Sequence, residues 1–313
     1  MLYSLFNREK NFCARKSMIQ AKEISTFSWR AKLQDYHQLA KTRLTFTVVL
    51  SAVFGFLIGA DAATVYMDIW ALAIGGFLVV ASSNGLNQII EKDYDKLMVR
   101  TNNRPVATER MGVTEALIFC LISGILGVFL LGYYLNFLSG VLGLIALLSY
   151  AFLYTPMKRV SSVAVFIGAF PGAIPPLLGW TAATGELATG AWILFLIQFV
   201  WQFPHFWAIA WILDDDYNRA GYRLLPSKHG KDSKSAKLTL IYILLLLPLT
   251  AAPYALGYTG IVSLGIALVA GLLFLWQGWK FFKARDTKAA KKLMFFSIVY
   301  NPLVLLAYLL DKV

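Results

Sequence analysis

The chain has 313 residues, 58% hydrophobic and only 15% charged, with a formal net charge of +12. A soluble globular chain carries about 25% charged residues, so this composition excludes an ordinary soluble enzyme. The two cysteines, Cys13 and Cys120, are too few and too far apart for a disulfide framework or a cysteine metal site.

In chain order, residues 1–38 read as a polar extension. Arg8, Lys10, Arg15 and Lys16 alternate there with Glu9, Glu23 and Asp35, and acids are scarce in transit peptides, so a cytosolic extension is expected. Residues 39–313 read as one membrane domain. Nine apolar runs fill it, near 44–60, 70–90, 112–131, 137–154, 163–180, 189–213, 238–256, 260–281 and 293–310. Each is long enough to cross a hydrocarbon layer about 30 Å thick. The fold class expected is all-α, a polytopic membrane bundle of nine transmembrane helices.

The basic residues orient that bundle. Nine Lys and Arg lie in the first 43 residues, and the segments 91–111, 154–162, 213–238 and 280–292 hold five, two, six and six; the alternate connections hold none. Cationic loops stay on the cytoplasmic side, so the N-terminus and these four loops are expected there, with the C-terminus outside. The expected compartment is a bacterial inner membrane rather than a mitochondrial one. Charge distributed this way is topological and needs no nucleic-acid partner.

Behind the second run stands "NQIIEKDYDKLMVRTNNRP" (87–105). Asn87, Glu91 and Asp95 are spaced i, i+4, i+8, so a continuing helix projects them along one face over about 12 Å; Asn84 shares the stripe. Acids are costly at the membrane end of a helix, and aligned carboxylates repel unless a cation lies between them. Mg²⁺ takes one or two carboxylates together with substrate phosphates. Arg100 and Arg104 follow, with forks that match phosphate oxygens, although a solvated basic loop would account for the arginines alone. After the fourth run, "YTPMKR" sets Tyr154 four residues before Lys158. Pro171, Pro175 and Pro176 bend the fifth run. His205 lies in the sixth among Trp201, Phe203, Phe206 and Trp207, a setting open to a packed histidine or to a haem ligand. That run ends in "DDDYNRAGYRLLP" (214–226), a second acidic cluster with Asp215 and Asp216. Two acidic helix ends with basic partners suit ionisation of an allylic diphosphate, a reaction that metal and arginine charges assist.

The Asn-x3-acid-x3-Asp pattern, Tyr-x3-Lys after the fourth run, the second acidic cluster and nine runs together resemble the intramembrane prenyltransferase superfamily. Within it, "EKDYDKLMVRTNNRP", "GAFPGAIPPLLGW" (168–180) and "WQFPHFWAIAW" (201–211) are similar to the heme-farnesylating branch. The resemblance runs from Leu39 onward. It implies farnesyl diphosphate and heme b as substrates, Mg²⁺ as cofactor, and a lipid bilayer as setting. A heme A synthase or a terminal-oxidase assembly factor would be its protein partners. Residue by residue, it implies Asn87, Glu91 and Asp95 as catalytic, with Glu91, Asp95, Asp215 and Asp216 as metal ligands. Arg100, Arg104, Tyr154 and Lys158 would hold the diphosphate, and Trp201 and His205 the heme. The chain departs from the pattern in three places. Glu91 replaces the more usual Asp; Arg219 stands four residues after Asp215, where a second Asp is expected; Thr42 in "AKTRL" replaces a proline. Two other readings stay open: a prenyltransferase for an aromatic quinone precursor, and an ion-coupled transporter, which should show an internal repeat.

Overall fold

The computed structural model describes residues 28–61, 64 and 67–313. Cys13 and the mixed charges of residues 8–23 lie outside the described residues. The chain divides into two units, Met1–Tyr36 and His37–Val313.

After α1 (Trp29–Ala40) come the spans α2 (Thr42–Gly59) and α3 (Asp68–Ile90), a single turn α4 (Lys92–Asp95), and the spans α5 (Val113–Leu130) and α6 (Phe137–Leu148). These are followed by the spans α7 (Ala164–Thr184) and α8 (Thr189–Ile212), the short α9 (Asp214–Arg219), and the spans α10 (Ser233–Ala255), α11 (Ile261–Ala284) and α12 (Thr287–Leu310). Among the described residues nine helices are long and apolar enough to cross a bilayer, as the apolar runs predict, and this is an all-α integral membrane protein.

α7 is the most buried and packs on α2, α6 and α8; α8 also packs on α10 and α12. Helices in lipid gain little from hydrophobic association, so their backbones must approach closely. At the α2–α7 crossing, Gly55 meets the Pro176 backbone and Gly179 meets the Ala52 carbonyl so closely that neither position has room for a Cβ. Amide ties complete the centre: Gln202 donates to the Ala169 carbonyl at 3.0 Å, and Asn301 donates to Gln198 at 2.9 Å.

One end of the bundle is closed by backbone and tail. Gly260 N–H donates to the Asp311 carbonyl at 2.7 Å and Val313 N–H to the Tyr258 carbonyl at 3.2 Å, while the Lys312 ammonium reaches the Ala60 carbonyl. The other end carries nearly all the charged side chains.

Two departures from regular helix occur at that charged end. α3 stops at Ile90, and Glu91 adopts φ −95°, ψ 7°. The hydrogen-bond ladder nevertheless passes through the break, from Glu91 N–H to the Asn87 carbonyl at 3.0 Å and from Asp95 N–H to the Glu91 carbonyl at 2.8 Å. The four-residue phase is kept, so Asn87, Glu91 and Asp95 share one face. The end of α6 widens into a π-helical turn over Ser149–Tyr154, a form that recurs at functional sites. It lets Thr155 Oγ1 donate to the Tyr150 carbonyl at 2.9 Å.

Candidate active site

The stretch between α1 and α2 begins the site. Lys41 lies between the two helices in the left-handed region, φ 46°, ψ 52°, which strains a residue other than glycine. The strain turns its side chain inward, where Nζ donates to Asn87 Oδ1 at 3.2 Å. Asn87 Nδ2 in turn donates to Thr155 Oγ1 at 3.1 Å. One turn on, Lys158 Nζ lies 2.6 Å from Glu91 Oε1, an ion pair whose angle falls short of a hydrogen bond. A further turn on, Arg104 Nη1 donates to both oxygens of Asp95 at 2.7 Å. Each rung of the ladder therefore faces a cation or a donor from another element.

These groups line a cavity of about 490 Å³, counting its open mouth, which Arg100, Tyr150, Tyr154, Tyr217 and Tyr222 complete. The Lys158 ammonium lies 4.8 Å from the Tyr154 ring centre and 5.9 Å from that of Tyr222. Gly168 of α7 admits the Tyr154 ring, since a Cβ there would lie 2.6 Å from it.

Electrostatics set the character of this cavity. Glu91 is 2% exposed and Asp95 0%. Burial works to raise the Glu91 carboxyl, but the combined pull of Lys158, Lys41 and Arg104 outweighs it and holds the group below its usual range. For Asp95 burial prevails over Arg104, and its carboxyl lies above the usual range. Burial, reinforced by repulsion from Arg104 and Lys158, pushes Lys41 well below the ordinary lysine value. Four cationic side chains thus share the cavity with two carboxylates. In a poorly hydrated site this surplus attracts a dense anion strongly.

Of the residues singled out by the sequence, Asn87, Glu91, Asp95, Arg100, Arg104, Tyr154 and Lys158 converge on this cavity. Asn84 does not; it ties α3 to the first turn of α2, donating to Thr45 Oγ1 at 3.3 Å. Asp93 turns outward and pairs with Lys96 at 3.6 Å. The second acidic cluster lies beside the cavity, outside its lining. Asp215 is exposed, 3.6 Å from Lys231. Asp216 accepts the backbone N–H groups of Val99 at 2.7 Å and Arg100 at 3.2 Å, so it braces the loop that carries the arginines. Arg100 then lies 6.0 Å from the Tyr217 ring centre.

Trp201 and His205 face α12. Their rings stack with centroids 4.9 Å apart, and Trp201 Nε1 donates to the Ser297 carbonyl at 2.9 Å. The Ser297 hydroxyl donates to the Met294 carbonyl at 2.6 Å and lies 2.8 Å from His205 Nδ1. The Ser297 hydroxyl thus bridges the Met294 carbonyl and Nδ1, and Nε2 is the ring nitrogen outside this contact.

Lys41, Tyr150, Tyr217 and Tyr222 are cavity residues that the sequence did not single out. A lone lysine at the start of the first span was the available signal for Lys41; the tyrosines gave none, because aromatic residues are common at membrane interfaces.

Among the described residues no three His, Cys, Asp or Glu side chains gather to hold an ion by themselves. Glu91, Asp95 and the Asn87 amide oxygen still offer a hard-oxygen set on one face, and Glu91 Oε1, which accepts no hydrogen bond, is engaged by the Lys158 ion pair. Such a partial set fits Mg²⁺, which completes its shell from phosphates and water.

A nine-span bundle with a cation-rich cavity at one end is the architecture of an intramembrane prenyltransferase, and the chain belongs to the UbiA prenyltransferase family, whose sequence profile matches residues 48–299. It is similar to the protoheme IX farnesyltransferase of Cytophaga hutchinsonii, 45% identical over 90% of this chain and 99% of the relative. It is also similar to that of Flavobacterium johnsoniae, 42% identical over 92% and 97%. Among solved structures, a digeranylgeranylglyceryl phosphate synthase has a TM-score of 0.75 at 23% identity, covering 90% of this chain and 98% of that one. A UbiA homologue of Archaeoglobus fulgidus bound to GPP and Mg²⁺ has a TM-score of 0.70 at 13% identity, covering 88% and 99%. At these identities the two structures share the fold.

Proposed function

We propose that this membrane prenyltransferase moves the farnesyl group of farnesyl diphosphate onto a vinyl group of heme b, yielding heme O. The observation that carries the reading is the cavity itself: four cations and two buried carboxylates at the end of a lipid-embedded bundle suit a diphosphate head whose tail lies in the membrane.

In this reading Lys41, Arg100, Arg104 and Lys158 take the diphosphate oxygens. Their positive charge stabilises the leaving group as the allylic C–O bond breaks. Mg²⁺ bound by Asn87, Glu91 and Asp95 would supply further neutralisation of the diphosphate charge. Glu91 and Asp95 hold Lys158 and Arg104 in place before substrate arrives. Tyr150 and Tyr154 border the cavity on α6, where their rings favour an allylic cation and exclude water. The heme vinyl group captures that cation, water adds at the vinyl carbon left positive, and a proton is released. No side-chain nucleophile is needed.

The Ser297 contact at His205 Nδ1 supports a heme-side role for this residue and Trp201, since it leaves Nε2 outside that contact. Asp215 and Asp216, read from the sequence as ligands of a second metal, act in this account outside the cavity, with Asp216 bracing the arginine loop. The cationic loops support a cytoplasmic cavity in a bacterial inner membrane. A heme A synthase or oxidase-assembly protein would receive the product.

The test is incubation of the purified protein with heme b, farnesyl diphosphate and Mg²⁺, with heme O detected by mass spectrometry. The expected product mass disappears in excess chelator. Farnesylation of a quinone precursor in place of heme b would overturn the acceptor assignment.

A further inference from the structure

At the charged end of the bundle, the α11–α12 hairpin carries a second basic feature far along the chain from the cavity residues. An open groove of about 1050 Å³ lies between the last turns of α11 and the first turns of α12. Lys280 and Lys283 line one wall, Lys288 and Lys292 the other, with Trp276 and Trp279 beneath them. The Lys280 ammonium lies 4.8 Å from the Trp276 ring centre and the Lys283 ammonium 5.1 Å from that of Trp279. Among the described residues none of the four lysines takes an ion pair. The acid at the turn, Asp286, is occupied in capping α12, accepting from Ala289 N–H at 2.7 Å.

The groove continues into the membrane-facing surface. On α11 the exposed side chains Val269, Leu272, Leu273 and Trp276 lead at helical spacing to Lys280 and Lys283. On α12, Lys288 and Lys292 lead to exposed Phe295 and Val299. Each stripe is apolar at acyl-chain depth, and α11 then turns aromatic before both reach cations at headgroup depth. Tryptophans mark the interface, and unpaired lysines between helix ends attract anionic headgroups.

We infer that this groove is a binding site for one anionic phospholipid of the surrounding leaflet. The lysines take the headgroup phosphate and Trp276 and Trp279 flank the glycerol region. A free phosphate would use the lysines but not the apolar stripes beneath them, which is why the geometry favours a lipid.

The test uses the full chain, purified and reconstituted in nanodiscs or detergent, with dioleoylphosphatidylglycerol and dioleoylphosphatidylcholine as probes followed by native mass spectrometry. Phosphatidylglycerol should be retained preferentially. A Lys280→Gln/Lys283→Gln/Lys288→Gln/Lys292→Gln protein should bind it at least about tenfold more weakly. A charge-matched control, Lys228→Gln/Lys231→Gln/Lys234→Gln/Lys237→Gln, should bind it as the wild type does. Quenching of tryptophan fluorescence by phosphatidylglycerol with brominated chains should fall in a Trp276→Phe/Trp279→Phe protein, a readout that leaves every lysine in place. Equal loss in both lysine variants would reduce the effect to unspecific charge, and displacement by millimolar inorganic phosphate would make this a free-anion site. Either result, or unchanged quenching in the tryptophan variant, overturns the proposal.

Discussion

Asp95 and Lys41 face the same cavity with opposite burdens. Asp95 is fully buried and held by a single guanidinium nitrogen, so Asp95→Ala removes the anchor of Arg104 together with a carboxylate proposed to hold Mg²⁺. Turnover is expected to fall about 100-fold or more, in the range seen when one charge-stabilising group is lost from an active site, while the protein remains folded in the membrane. Wild-type kcat in that variant would remove Asp95 from the machinery. Lys41 is lowered by burial and by its cationic neighbours, so it sheds its proton at a lower pH than an ordinary lysine. The unfolded chain then binds more protons than the folded one, and the contribution of Lys41 to stability rises with pH across the window below the ordinary lysine value. Substrate affinity runs the other way: as pH rises and the charge is lost, KM for farnesyl diphosphate should increase. Lys41→Arg keeps its charge throughout and should flatten that alkaline limb; identical limbs in both proteins would exclude Lys41 as their source. For His205, the expected outcome of His205→Ala is weaker heme binding and an altered heme absorption spectrum with farnesyl diphosphate binding unchanged, measured on one preparation.

The elements around the cavity are held by helix ends. Asp216, at the start of α9, accepts two backbone N–H groups from the arginine loop. Hydrogen bonds to a charged acceptor contribute roughly 1.5–3 kcal/mol each, so Asp216→Ala should loosen the loop and raise KM for farnesyl diphosphate by about tenfold or more. Amide exchange at residues 99–100 should quicken in parallel; normal exchange with raised KM would instead point to direct contact with substrate. The Asp232 side chain caps α10, accepting from Ser235 N–H at 2.8 Å. Although burial works to raise it, its bonds with Ser227 and Ser235 hold its carboxyl below the usual range. A carboxyl lowered on folding contributes stability above its unfolded value and loses it as pH falls through the folded one. Loss of such a cap costs about 1 kcal/mol. Thermal unfolding of Asp232→Ala should therefore show a lower Tm at neutral pH and a smaller further drop on acidification than the wild type.

At the scale of the molecule, every cationic connection lies at the cavity end, and the opposite end is sealed by the C-terminal residues. Sidedness can be read by an impermeant thiol reagent applied from outside to protein lacking Cys13 and Cys120. Glu186→Cys, exposed in the α7–α8 connection, should label, and Lys228→Cys, exposed in the loop before α10, should not. The reverse pattern would place the cavity away from the cytoplasm.

The sequence by itself determined the nine spans, their alternation and the ladder of Asn87, Glu91 and Asp95, because apolar length, loop charge and four-residue spacing are local properties of a chain in a bilayer. The ladder even survived an interruption that the pattern did not foresee, since the backbone bonds through Glu91 kept its phase. Only the tertiary structure decided which charges meet. Lys41 and Lys158 are 117 positions apart in sequence, yet both lower into one cavity, and a strained backbone conformation at Lys41 brings it there. The same holds for the second acidic cluster, which looks like the first in sequence. Asp95 is carried inward by α4, whereas the start of α9 points Asp216 at a backbone and Asp215 at solvent. Composition records that both are acids; burial and the partner supplied by a distant element determine what each can do.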